Sequence, residues 1–141
     1  MSDGPEFSTA KAARHDAAVT IVVCSSCRDE SGSDAHPRAG LLLAQAAAEA
    51  ALAAEAANIC VQKVECLGNC KRRLSAALLR EGCWSYVFGD LTSASAEDLI
   101  TGAELFASSQ DGLIPWRGRP DSLKRGLIAR VPPLTELKDI K

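Results

Sequence analysis

A chain of 141 residues is long enough for one domain with a sizeable core and too short for two of ordinary size. Its formal net charge of −2 gives no electrostatic basis for nucleic-acid or membrane-surface binding, and no stretch of about 18 apolar residues marks a membrane span. Hydrophobic residues make up 47% of the chain and aromatics only 4%, so the core is expected to be built from Ala, Val, Leu and Ile between closely packed helices.

Residues 1–17 are small and polar, carry Gly4-Pro5, and read as a flexible N-terminal extension with no function assigned. They hold no apolar signal-peptide core, so a cytoplasmic location is expected. Val19 to Val23 is a short β-branched run that predicts a buried strand ending at Cys24. After a loop carrying Cys27, Asp34 is the expected cap and Pro37 the expected first turn of a helix running through Leu41-Leu42-Leu43 to Ala57. Its body is Ala, Leu, Glu and Gln, residues that favour helix intrinsically. Asn58 is the expected stop before a second strand from Ile59 to Glu65. Strand, helix and strand at this spacing imply a βαβ unit with parallel strands.

Leu74 to Leu79 and Cys83 to Phe88, separated by Arg80-Glu81-Gly82, predict a β-hairpin. Trp84, Tyr86 and Phe88 alternate along its second strand and share a face, which is core, or a dimer contact if exposed. Ser95 and Asp98 have the spacing of a capping box for a helix ending near Gln110, with Leu99, Ala103 and Phe106 on one face. The expected order is βαβ-ββα, an α/β domain over residues 18–110. From Asp111 onward Pro, Gly and Arg predict an irregular arm with a short helix near Ser122 to Arg125, packed on the core or a partner subunit.

Four of the six cysteines form two close pairs, Cys24-Ser-Ser-Cys27 and Cys66-Leu-Gly-Asn-Cys70, each where a predicted strand ends. Thiolates at such spacings curl around one ion or cluster, and two pairs at adjacent strand ends can supply four sulfur ligands. Three readings compete. An iron–sulfur cluster fits four thiolates, with backbone N–H groups from the Gly68 turn and the flanking Arg28, Lys71, Arg72 and Arg73 offsetting its negative charge. A zinc-binding interaction or regulatory module uses the same ligand type. A dithiol–disulfide oxidoreductase would use Cys24-x2-Cys27 beside a βαβ unit, although Arg28 to Ser33 separates the pair from the helix that would activate it. Structural disulfides fit poorly with a core that looks sufficient by itself. Cys60 and Cys83 read as small hydrophobes of the strands, and His36 as a helix-entry residue rather than a ligand, His15 being the other histidine.

The βαβ-ββα order, with cysteines after the first strand and Cys-x3-Cys after the second, resembles the thioredoxin-like [2Fe-2S] ferredoxins. More closely, Val23-Cys24-Ser25-Ser26-Cys27-Arg28, Cys66-Leu67-Gly68-Asn69-Cys70, Tyr86-Val87-Phe88-Gly89-Asp90-Leu91 and Arg117-Gly118-Arg119-Pro120 are similar to a small uncharacterised prokaryotic family labelled only as metal-binding. The ferredoxin resemblance implies a mixed sheet and a [2Fe-2S] cluster held by Cys24, Cys27, Cys66 and Cys70. It further implies one-electron transfer to a redox protein partner without substrate turnover, and a homodimer; the basic rim of Arg28, Lys71, Arg72 and Arg73 is what suits a partner that is acidic where it docks. The Cys24-x2-Cys27 spacing is tighter than the first pair of those ferredoxins.

Overall fold

The computed structural model describes residues 18–29, 31–32, 35–69 and 71–140. The expected extension 1–17, the expected cap Asp34 and the candidate ligand Cys70 lie outside the described residues. Among the described residues five strands and three α-helices follow in chain order: β1 (Val19–Cys24), α1 (Ala39–Ala53), β2 (Ile59–Val64), β3 (Ala76–Leu79), β4 (Ser85–Phe88), α2 (Ala96–Ser108), α3 (Asp121–Arg125) and β5 (Leu127–Val131). The strands form one mixed sheet in the order β2-β1-β3-β4-β5. β1 and β2 are parallel and every other pairing is antiparallel. The molecule is α/β, and the first four strands are compatible with the thioredoxin-like arrangement.

The period of two along β1 decides its orientation. Val19, Ile21 and Val23 are fully buried, while Thr20 and Val22 are only half-covered. α1 meets that buried face with Leu43, Ala44, Ala47 and Ala51, spaced three and four apart. α2 adds Leu99, Ala103 and Phe106, and these side chains join β1 in one core. Small alanines let α1 lie close to the sheet, which is how a chain so poor in aromatics fills its interior. The aromatics it does have are concentrated: Tyr86 stacks at 6.2 Å from Phe88 and meets Phe106 edge-on at 5.5 Å.

Several element ends differ from expectation for local reasons. α1 begins at Ala39 after an extended Arg38, so Pro37 precedes the helix instead of forming its first turn. It ends at Ala53, four residues before Ala57. Glu55 turns left-handed (φ 53°), its N–H donates to the Leu52 carbonyl and that of Ala56 to the Ala51 carbonyl, the paired bonds that close a helix C-terminus. The capping box ahead of α2 is centred on Thr92: the Thr92 hydroxyl accepts from Ala94 N–H at 3.2 Å and Ser95 Oγ accepts from Thr92 N–H at 3.0 Å. Asp98 instead accepts from the Ser122 hydroxyl at 2.8 Å, tying α2 to α3.

β4 takes the core reading of its aromatic face, and the arm departs from expectation. Tyr86 and Phe88 are buried and β4 lies between β3 and β5, so their face is not available as a dimer contact. The segment after Asp111 is also not simply irregular. β5 pairs with β4 through Ser85 and Val131, Tyr86 and Arg130, Val87 and Ala129, and Ile114 and Leu123 enter the core.

Candidate metal centre

β1 and β2 run parallel, so their C-terminal ends finish side by side, and the two cysteine loops leave from the same end of the sheet. Hydrogen bonds suture them. Ser25 N–H donates to the Val64 carbonyl at 2.8 Å and Ser26 N–H to that of Glu65 at 3.2 Å. The Ser25 and Ser26 hydroxyls donate to the same two carbonyls. Cys24 N–H reaches the Ser75 carbonyl at 3.0 Å, which brings in the far side of the second loop.

The start of α1 closes the first loop from below. Gly40 N–H donates to the Cys27 carbonyl at 3.0 Å, and a Cβ on Gly40 would stand 2.0 Å from the Cys24 carbonyl oxygen. Only glycine allows the helix to approach so closely. The first pair is therefore seated against the helix N-terminus in space although twelve residues of chain separate Cys27 from Gly40.

Cys24, Cys27 and Cys66 together line a cavity of about 460 Å³, with Ser26, Arg28, Arg38, Asn69 and Arg73. Cys24 and Cys27 are buried and Cys66 is exposed. Burial pushes the Cys27 thiol up from its ordinary range, and a hydrogen bond with the Cys24 thiol adds to this. A thiol shifted this way gives up its proton less readily, whether to a base or on binding a metal. The Cys66 sulfur accepts the Gly68 N–H at 3.1 Å; Gly68 has φ 75°, a conformation natural to glycine that turns its amide back onto the sulfur. Among the described residues no three His, Cys, Asp or Glu side chains converge to hold a single ion; the three thiols are instead distributed around one cavity.

The second loop is held by a compact polar network. The Arg72 carbonyl accepts from Asn69 Nδ2 at 3.2 Å, Ser75 Oγ at 3.2 Å and Asp90 N–H at 3.3 Å, while Asn69 Nδ2 also donates to Ser75 Oγ at 2.8 Å. Arg72 itself turns outward to Asp90 Oδ2 at 2.7 Å and the Arg125 carbonyl at 3.3 Å. Of the basic residues expected to flank the ligands, Arg28 and Arg73 line the cavity and Arg72 and Lys71 do not. Arg38 takes a place the sequence reading missed, donating to the Ser26 carbonyl at 3.4 Å; its only signal was a cation at the mouth of the helix. Asn69 was likewise passed over inside the Cys66-x3-Cys70 motif.

A family model described as "Protein of unknown function (DUF1636)" matches residues 21–133. The chain belongs to this DUF1636 family. The match spans both cysteine loops and the C-terminal strand β5. No curated protein and no solved structure matches the chain.

Cys60, Cys83 and His36 stand apart from the cavity. Cys60 is exposed on edge strand β2, not buried, with Gln62 Nε2 at 3.4 Å from its sulfur. Cys83 is half-buried. His36 accepts from Arg38 Nε at 3.5 Å and is not a cavity residue. No helix among the described residues is long and apolar enough to cross a membrane.

Proposed function

We propose that this DUF1636 protein is a [2Fe-2S] ferredoxin, a one-electron carrier rather than an enzyme, with Cys24, Cys27, Cys66 and Cys70 as ligands. The observation that carries the reading is the shared cavity: three of the four nominated thiols, from loops far apart in sequence, line one space together with three arginines. The donor set suits a cluster, which spreads its four sulfur ligands over two irons, whereas a single zinc ion needs its ligands at one point. When bound, the cluster would take up and release one electron.

The chain's own residues would supply the setting. Burial of Cys24 and Cys27 keeps water from one side of the site, and the Gly68 N–H stabilises a thiolate on Cys66. Arg28, Arg38 and Arg73 offset negative charge and favour the reduced state. Exposed Cys66 lies on the side from which an electron would enter or leave. The same arginines give the mouth of the cavity a positive rim for an acidic redox partner. A cytoplasmic location and a homodimer, both implied by the sequence reading, complete the proposal.

The deciding experiment is anaerobic purification followed by visible absorption before and after dithionite, with iron, sulfide and zinc analysis. A brown protein that bleaches on reduction and carries about two irons per chain is expected. A colourless protein with one zinc per chain would overturn the proposal in favour of the zinc module. A colourless, metal-free protein that reduces disulfides would favour the dithiol enzyme.

A further inference from the structure

A second concentration of chemistry lies on the C-terminal segment. Between Pro115 and Val131 the chain carries Arg117, Arg119, Lys124, Arg125 and Arg130 against the single carboxylate Asp121, within a molecule whose net charge is −2. The cations are interleaved with aromatic rings. Arg130 lies 4.4 Å from the centre of Trp84, while Arg119 and Lys124 lie 5.1 Å and 5.0 Å from the centre of Trp116. Arg119 also sits 5.7 Å from Tyr86, the cross-strand neighbour of Arg130, so buried Arg119 and Tyr86 lie between the two tryptophan clusters.

These charges are not neutralised. Among the described residues the one ion pair is Arg72–Asp90, and buried Arg119 is held by the Ile114 and Pro115 carbonyls. Burial pushes the Arg119 pKa down, and the charge of Arg130 acts in the same direction. Arg117, Arg125 and Arg130 are exposed, as is Trp116 at 60%. Lysine and arginine side chains ordinarily lose rotamer freedom on binding; here ring faces already hold Lys124 and Arg130, which lowers that cost. Tryptophan and arginine together are also what protein interface centres favour.

We propose that this Trp84–Arg130–Arg119–Trp116–Lys124 patch is a docking surface for an acidic protein partner. A local cluster of carboxylates gains the exposed cations, whereas a long polyanion such as nucleic acid would also meet the net negative charge of the rest of the molecule. The patch is independent of the cysteine cavity, and its test does not require a bound cluster.

Both tryptophans of the chain lie in the patch, so intrinsic tryptophan fluorescence reports on it alone. Titration with octaglutamate at low salt is expected to give a saturable change that weakens as ionic strength rises. The double variant Lys124→Gln/Arg130→Gln should bind about tenfold more weakly, as the loss of two partly exposed charge contacts implies. If the double variant does not fold, Arg130→Gln alone, at an exposed edge-strand position, should bind about threefold more weakly. No saturable change with the wild-type protein, or variants that bind as tightly as wild type, would overturn the proposal. Tighter binding of an eight-nucleotide oligothymidylate than of octaglutamate would overturn it in favour of a single-stranded nucleic-acid surface.

Discussion

Cys66 and Cys60 are both exposed thiols on or just after β2, yet only Cys66 lines the cavity, and that difference is testable one side chain at a time. In the metal-free, reduced protein an alkylating reagent should modify Cys60 and Cys66 quickly and the buried Cys24 and Cys27 slowly; after cluster reconstitution Cys66 should be protected and Cys60 still react. Mass mapping of the labelled peptides reads this directly, and equal labelling of Cys66 in both forms would remove it from the ligand set. Arg73, whose guanidinium carbon comes within 3.7 Å of the Cβ position of Gly32 in the first loop, spans the two cysteine loops. Arg73→Gln should lower the reduction potential by about 40 mV, the one-electron equivalent of about 1 kcal/mol for a charge of this exposure, whereas Arg72→Gln, turned away to Asp90, should change it far less. A third residue sets a pH dependence away from the site. The Ser109 hydroxyl, and then the Leu113 N–H, hold the Asp111 carboxyl below its ordinary value of 3.8. A depressed carboxylate contributes stability that is present above its unfolded pKa and is lost as pH falls through the folded value. Urea unfolding of wild type and Asp111→Asn should therefore differ near pH 6 and converge as the pH falls below the depressed value.

At the level of elements, α1 is constrained at both ends by backbone geometry. Gly40→Ala would drive a methyl group into the Cys24 carbonyl, so the helix or the first cysteine loop must shift; a loss of about 1–3 kcal/mol is expected, with a larger fractional loss of bound iron than of helical signal. At the other end, Glu55 holds a left-handed conformation that costs a side-chain-bearing residue about 1 kcal/mol. Glu55→Gly should therefore raise the melting temperature by a few degrees, and circular dichroism melts would show it; a lower melting temperature would mean that Glu55 makes a compensating contact. The helix and β1 were readable in advance because propensity and apolar spacing act over a few residues. The end of α1 at Ala53 was not, since Ala54 to Ala57 favour helix as strongly as what precedes them and the closing turn is made by Glu55, a residue with no turn signature.

For the molecule as a whole, the C-terminal segment is part of the domain. Ile114 and Leu123 are buried, Ile114 N–H donates to the Tyr86 hydroxyl at 3.0 Å, and β5 covers the edge of β4. A chain ending at Gln110 forfeits about 1.5–3 kcal/mol for each such side chain from a total that is about 5–15 kcal/mol in most domains. It should lose its cooperative melt, while removal of residues 132–141 should leave the melt nearly intact. β5 escaped notice because Leu127-Ile128-Ala129-Arg130-Val131 does not alternate cleanly and follows a stretch rich in Gly and Pro; only its pairing with β4 makes it a strand.

What the sequence by itself determined is local: the βαβ order, the alanine helix, the apolar face of β1 and the two cysteine pairs, all written in spacings of two to four residues. The tertiary structure decided what those spacings cannot express. The parallel pairing of β1 with β2 was implied by the βαβ order, but only the packed loops show that Cys24, Cys27 and Cys66 line one cavity at its end. The approach of Gly40 seats the first loop, Arg38 enters the cavity wall in place of Arg72, and the cations of the last strand and helix find their aromatic rings. Each of these joins residues separated by many positions along the chain, and such contacts depend on how the elements pack together, which no local pattern encodes.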